Sequence, residues 1–227
     1  MSTAADTAAG GPRRERLLAD CLFVIQVLCA SAFGVAQYRT MQTSVEGVST
    51  TWFLFWGVFL VVNLVLAVNA YRAFASRIAV QTVIIYAVWT LVCGAVLLEL
   101  LLTEAARWTH VDEVTAVITV AGCICAVLIG RRRGLAMSDP LVRAGFAVFC
   151  KAVPQLTLAW NIWELGGAGI SAVAFAVGHI TICMRLWQVW LSIREAGWDR
   201  NRLGIAIGEA ANEVSWIVAT AVWLAVG

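Results

Sequence analysis

The chain has 227 residues, of which 61% are hydrophobic and only 13% are charged, about half the charged share of a soluble domain. With a mean hydropathy of +0.84, it carries more apolar surface than a soluble fold of this size can bury. This excludes an ordinary soluble enzyme, a disordered chain and a nucleic-acid-binding protein, while the net charge of +2 says little about partners.

Seven apolar segments follow one another along the chain, each about 20 residues long or slightly longer, the length that a helix needs to cross a bilayer. Helices are expected because a lipid-facing backbone must satisfy its hydrogen bonds internally. The segments are 17–38, 51–72, 78–103, 112–130, 141–161, 170–193 and 203–226. We therefore predict an all-α integral membrane protein with seven transmembrane helices after a short cytoplasmic tail, residues 1–16, and with the lipid bilayer as its surroundings.

Positive charges are concentrated at one end of the predicted spans. The amino-terminal tail, the loops after the second, fourth and sixth spans and the helix ends beside them carry 12 arginines. The loops at the other end carry only Arg39 and Arg107. The positive-inside rule therefore predicts a multi-pass protein of the cell membrane with a cytoplasmic amino terminus and an extracytoplasmic carboxyl terminus.

An internal repeat relates the two halves of the chain. The first and fifth spans align so that Gln37 meets Gln155 and Glu46 meets Glu164. This alignment predicts two parallel three-helix repeats, 17–103 and 141–227, joined by a linker helix and a basic loop within 104–140. Repeats of this kind place a binding site between the halves, near the middle of the membrane.

Two short motifs lie at corresponding places in these repeats. The stretch 37–49 reads QYRTMQTSVEGVS, and the stretch 151–155 reads KAVPQ. Both resemble the loop motifs of the PQ-loop transporter family, although Ala36 stands where that family has proline and the second loop reads WELGG at 163–167. The resemblance implies the 3+1+3 helix fold shared with the SWEET sugar carriers and alternating-access transport of a small polar solute.

Polar side chains recur near the middle of five spans. A charged side chain at the bilayer centre costs about 2.5–3.5 kcal/mol to insert, so several polar groups at one depth indicate a hydrated site. The alternative is a packing network in which these groups satisfy one another. The residues predicted to bind substrate are Gln26, Asn63, Lys151, His179, Asn212 and Trp216.

Three of the buried ionisable residues are candidates for proton coupling. Lys151 is the only lysine in the chain, and a buried ammonium needs a partner, for which Glu213 is the nearest acid by depth. His179 is a further candidate because histidine exchanges protons readily near neutral pH. A structural ion pair for Lys151 and a packing role for His179 are the alternatives.

A proline inside the fifth span predicts a hinge. Pro154 cannot donate a helical hydrogen bond, so the helix should kink there. Gln155 can cap the freed carbonyl, and Gln37 occupies the matching position of the first repeat. These three residues are the predicted hinge, with a static kink as the alternative.

We therefore predict a carrier for a small polar metabolite, amino-acid-like or sugar-like, with proton coupling as an option. The first alternative is an integral-membrane terpene cyclase, in which Glu213 or Glu164 would protonate an isoprenoid and the 11 tryptophans would stabilise carbocations. A non-transporting receptor or assembly module is the second alternative. We expect no cofactor and no metal, because the seven cysteines lie in apolar stretches without a CxxC pair. The oligomeric state stays open.

Overall fold

The structure is a computed structural model that describes residues 13–103 and 108–226, with the side chains from residue 17 onward. The first part of the predicted tail and Arg107 lie outside the described residues. Within those ranges every regular element is helical. The helices are α1 (Arg13–Met41), α2 (Thr50–Ala73), α3 (Arg77–Leu102), α4 (His110–Arg132), α5 (Pro140–Ala147), a π-helical segment (Val148–Ala152), α6 (Val153–Leu165), α7 (Ala172–Ala196) and α8 (Arg200–Val226).

Within residues 13–103 and 108–226, seven helical stretches are long and apolar enough to cross a membrane, which confirms the predicted all-α seven-helix membrane architecture. Their ends lie within about one helical turn of the predicted boundaries. α5, the π-helical segment and α6 together form the fifth span, Pro140–Leu165. Large apolar side chains such as Leu91 and Leu98 face outward, as suits a surface in contact with lipid.

Side-chain caps set where several helices begin. In each case a hydroxyl or carboxylate oxygen accepts a hydrogen bond from a backbone amide of the first turn, which would otherwise have no partner. The capping residues are Ser49 for α2, Ser76 for α3, Thr109 for α4, Asp139 for α5 and Ser171 for α7.

The fifth span changes its helical pitch in the middle. Pro154 has no amide hydrogen, so the carbonyl group of Cys150, four residues earlier, cannot receive the usual α-helical bond. The π-helical segment Val148–Ala152 lies directly before this proline. A π turn holds more residues than an α turn. The fifth span is therefore irregular near Pro154, as predicted, and the irregularity includes a widened turn.

The helices pack in two groups with the same internal order. In the first half α3 contacts both α1 and α2, and in the second half α8 contacts both the fifth span and α7. The halves meet where α1 packs on α7 and α2 packs on α6 and the π-helical segment. The linker helix α4 lies against the fifth span. This order suits two parallel repeats, and the repeat itself stays a sequence-based prediction.

Candidate functional site

A cavity of about 70 Å³ lies between the two halves, near the middle of the spans. α1, α2 and α3 supply one wall, and the fifth span, α7 and α8 supply the other. We call the end of the bundle that carries Arg72, Arg77, Arg131 and Arg200 the basic end. The cavity wall is charged toward the basic end and aromatic toward the opposite end.

The aromatic part of the wall joins the two halves of the molecule. Trp52 and Trp56 lie one turn apart on α2 and stack with ring centroids 5.4 Å apart. Phe33 of α1 packs edge-on against Trp56, with centroids 5.7 Å apart. Trp216 of α8 lies across the boundary between the halves, with its centroid 5.3 Å from that of Trp52. Because its Nε1 donates to the carbonyl oxygen of Phe175, the indole of Trp216 is held in place.

The charged part of the wall contains two cations and one acid. Arg185 of α7 donates from Nη1 to Glu209 Oε1 on α8 at 2.8 Å. Lys151 of the π-helical segment lies with Nζ 3.5 Å from Glu209 Oε2. The side chains of Lys151 and Glu209 are only 8% and 10% exposed, so their charges are held inside the protein. The prediction that Glu213 is the partner of Lys151 is wrong. The acid beside Lys151 is Glu209, which lies one helical turn earlier on α8 and faces the cavity.

An amide network connects the fifth span to α8 beside these charges. Gln155 donates from Nε2 to Asn212 Oδ1 at 3.0 Å and accepts a hydrogen bond from the Ser215 hydroxyl. The predicted cap on the carbonyl group that Pro154 frees is therefore wrong, because both amide atoms of Gln155 bond to α8. Gln155 and Asn212 also line the cavity.

Of the six residues that the sequence predicts to bind substrate, only three line this cavity. Lys151, Asn212 and Trp216 line it. Asn63 lies nearer the basic end, where it donates to the carbonyl oxygen of Phe59 and accepts from Arg143 Nη2, both at 2.8 Å. Gln26 lines a separate groove between α1, α3 and α7.

His179 and Glu213 form a second polar cluster, between α7 and α8 and outside the cavity lining. His179 Nδ1 lies 2.7 Å from Glu213 Oε1, and His179 Nε2 lies 3.0 Å from the Thr220 hydroxyl. Glu164 lies farther away, exposed at the end of α6, where it accepts from Trp160 Nε1 at 2.8 Å. Neither acid of the predicted cyclase alternative lines the central cavity.

A larger space adjoins the cavity on the side of the basic end. It measures about 400 Å³, and we call it the vestibule. Four residues line both spaces: Phe59, Tyr86, Arg185 and Glu209. Further out the vestibule is lined by Arg143 of α5 and Arg202 of α8. Polar and cationic groups therefore lead from the basic end to the charged part of the cavity.

Hydrogen bonds close the opposite end. The buried Gln37 of α1 donates from Nε2 to the Gly169 carbonyl oxygen at 2.8 Å and accepts from the Ser171 amide at 3.1 Å. The Gly169 amide in turn donates to the carbonyl oxygen of Glu46 at 2.9 Å. Gly47 has a φ of 75° and packs so closely on Gly166 that a side chain there would overlap it. We call these contacts between the two motif loops the loop clasp.

Comparison of the chain with protein-family models, with curated proteins and with solved structures finds no match. The fold and the site define a seven-helix membrane protein with a central aromatic and charged cavity. Arguments about its function therefore rest on this cavity, its vestibule and the loop clasp. Sequence reasoning missed Arg185 and Glu209, although both are ionisable residues inside predicted spans.

Proposed function

We propose that the protein is a membrane carrier that moves a small polar metabolite by alternating access. One observation carries the proposal: the cavity lies between two three-helix groups, adjoins a vestibule at one end and is shut by the loop clasp at the other. A carrier needs such a central site with unequal access from its two ends. The arrangement fits a state that is accessible from the basic end.

The residues have separate roles in this proposal. Lys151, Asn212 and Trp216 contact the solute, together with Arg185 and Glu209, which sequence reasoning did not include. The positive-inside rule favours a protein of the cell membrane with the basic end in the cytoplasm.

The proposed cycle rocks one half against the other. Opening the opposite end requires the loop clasp to break, which leaves the donors and acceptors of Gln37, Gly169 and Ser171 to water or substrate. Closing the basic end requires α2 and α3 to approach the fifth span and α8 across the vestibule. The π-helical segment before Pro154 supplies a place where the fifth span can bend.

Transport by purified protein in proteoliposomes tests this proposal. Vesicles are loaded with a pool of amino acids, sugars, organic acids, nucleosides and isoprenoid-bearing metabolites, and mass spectrometry follows each solute that leaves. We expect one chemical class to cross unchanged, and to stop crossing in Lys151→Met. Arg77→Met is the matched control because Arg77 pairs with Asp20 away from the cavity. Leakage equal to that of protein-free vesicles for every solute would contradict a carrier.

The aromatic wall also favours a second candidate, an integral-membrane terpene cyclase. Four tryptophans and Phe33 line the cavity, and aromatic faces stabilise carbocations through cation–π attraction. Glu209 would have to be the acid, yet both of its carboxylate oxygens face cations, Lys151 and Arg185, so neither oxygen is free to face an isoprenoid. A product of unchanged mass and altered structure in the same assay would support the cyclase. If the assay detects neither flux nor turnover, the result would favour a receptor or an assembly module.

A further inference from the structure

We infer that the solute of the proposed carrier is a monoanion with a flat apolar body, an aromatic carboxylate being the simplest member of this class. The inference rests on the proposed function only for the movement of the solute across the membrane. It rests on the charges and rings of the cavity for the chemistry of binding.

The cavity has one positive charge more than it can balance. In their ionised forms Lys151 and Arg185 each carry a positive charge, and Glu209 carries the one negative charge among the residues that line the cavity. An unbalanced charge inside a membrane protein costs free energy. A monoanion cancels it, whereas a zwitterionic amino acid or a neutral sugar leaves the imbalance unchanged. Charge balance therefore favours an anionic solute over the two solute classes that the sequence predicts.

The donors of the cavity are arranged unequally around Glu209. Arg185 donates to Oε1 at 2.8 Å, a normal distance for a charged hydrogen bond, whereas Lys151 stays 3.5 Å from Oε2. Lys151 Nζ also lies 5.2 Å from the centre of the Phe59 ring. The ammonium is therefore held by weak contacts, and its N–H groups can turn to an incoming carboxylate.

The other part of the cavity suits a flat apolar group. Phe33, Trp52, Trp56, Trp89 and Trp216 lie with neighbouring ring centroids 5.3–5.7 Å apart. The indole N–H of Trp216 is already bonded to the Phe175 carbonyl oxygen, so this ring presents carbon surface. Rings of this kind prefer offset or edge-on contacts with another ring. Because these rings already contact one another, they form one wall, and a solute with its carboxylate beside Lys151 would place its ring against that wall, in the space that the cavity shares with the vestibule.

The vestibule, on the side of the basic end, also favours an anionic solute. Arg143 and Arg202 line it, and they precede Arg185 along the path to the cavity. The lining of the vestibule holds three arginines, Arg143, Arg185 and Arg202, against one acid, Glu209, and an excess of one sign of charge in surroundings of low dielectric constant concentrates ions of the opposite sign. The vestibule therefore attracts anions to the cavity.

Calorimetric titration of the purified full-length protein in detergent tests this inference. The probes are phenylacetate, acetate, phenylalanine, phenethylamine, benzyl alcohol and glucose, which separate charge from ring. We expect phenylacetate to bind at least about tenfold more tightly than every other probe. Equal binding of phenylalanine, benzyl alcohol or glucose would overturn the inference, and so would the absence of phenylacetate binding.

Two variants connect the binding to the cavity. Lys151→Met removes the excess charge while keeping a side chain of similar length, and it should weaken phenylacetate binding by about tenfold or more. Arg77→Met removes one positive charge at the basic end and should change the affinity by less than about twofold. Near-ultraviolet circular dichroism establishes that both variants are folded. A folded Lys151→Met that binds as tightly as the unmodified protein contradicts the inference.

Flux measurements separate this inference from the proposed function. If phenylacetate binds through Lys151 but does not cross proteoliposomes, the ligand class stands and the carrier proposal fails. If glucose or phenylalanine crosses and aromatic anions do not, the carrier proposal stands and the ligand class fails.

Discussion

Gln37 on α1 donates a 2.8 Å hydrogen bond to the carbonyl oxygen of Gly169 in the loop before α7, and so joins the first half of the molecule to the second. The side-chain Oε1 of Gln37 accepts from the Ser171 backbone amide, so one buried side chain satisfies two backbone groups of the other half. Gln37 lies in the first of the two motifs that resemble PQ-loop transporters, where the sequence predicts a hinge. Its contacts are those of a clasp, and its part in any movement stays a prediction.

Removing this clasp should loosen the opposite end. Gln37→Met leaves a buried carbonyl and a buried amide without partners, so we expect the free energy of unfolding to fall by about 1–3 kcal/mol. Gln42→Met is the matched control, because Gln42 bonds to Glu99 at the exposed surface. Thermal unfolding in detergent measures the differences, and equal melting temperatures for Gln37→Met and Gln42→Met would contradict the prediction.

The two ion pairs on Glu209 should behave as one unit. Glu209→Gln leaves Lys151 and Arg185 buried without a counter-charge, and we expect a loss of about 3–5 kcal/mol in stability. Lys151→Met should change the stability little, because it removes the excess charge and the 2.8 Å bond from Arg185 to Glu209 remains.

The double variant Lys151→Met, Glu209→Gln restores the original net charge of the cavity. It should therefore be more stable than Glu209→Gln alone, with a coupling free energy of about 1 kcal/mol or more. Chemical unfolding of the four proteins completes the cycle. Additive effects of the two substitutions would show that Lys151 and Glu209 do not act together.

Gly178 of α7 should be needed for the position of Trp216. A Cβ atom at Gly178 would overlap the indole, which is buried and bonded to Phe175. Gly178→Ala should therefore destabilise the protein by about 1–3 kcal/mol and abolish binding of phenylacetate. Gly94→Ala is the control, since no atom lies within 4 Å of the added Cβ and alanine favours a helix by about 0.5–1 kcal/mol. Retained probe affinity in folded Gly178→Ala would count against the assignment of the aromatic wall.

The cluster of His179 and Glu213 should affect proton dependence without affecting binding, if the sequence-based assignment of proton coupling is right. His179→Gln keeps groups that can bond to Glu213 and Thr220 but removes the titratable ring. We expect its phenylacetate affinity to stay within about twofold, because His179 does not line the cavity. Its flux should vary less with pH than that of the unmodified protein.

Thr220→Val provides the control for this cluster, because it removes the hydroxyl partner of His179 and leaves every titratable group in place. Flux is measured in proteoliposomes at several pH values on both sides of neutrality. Identical pH profiles for the unmodified protein and His179→Gln would exclude His179 from proton coupling.

Hydropathy was sufficient to predict the seven spans, because the cost of placing polar groups in lipid acts on every residue of a span. Depth within the spans was sufficient to place Lys151, Asn212 and Trp216 at the cavity. Depth does not say which way a side chain points, since successive residues of a helix turn by about 100°. His179 and Glu213 therefore share the depth of the cavity but face each other between α7 and α8.

The two residues that were missed show a second limit. Glu209 lies in the half of α8 nearer the basic end, where a charge can reach the membrane surface, whereas Arg185 lies at the middle of α7 and was not weighed as a site residue. Only the packing of α7 against α8 brings them within 2.8 Å of each other. The wide turn of the fifth span adds to the uncertainty, because it changes the direction in which Lys151 points relative to α5. Neither effect can be read from one sequence by counting residues from the ends of a span.

The π-helical segment makes the relative orientation of α5 and α6 sensitive to the helical pitch of one turn. It holds one residue more in its turn than the α-helices on either side, and Lys151 belongs to it. If this turn tightened to an α-helical turn with every residue kept, α6 would rotate by about 100° relative to α5. Gln155 would then leave Asn212, while α5 kept its place against α8. The helical phase of α6 relative to α5, and not only the identity of the side chains, thus decides which residues of the fifth span face the other helices.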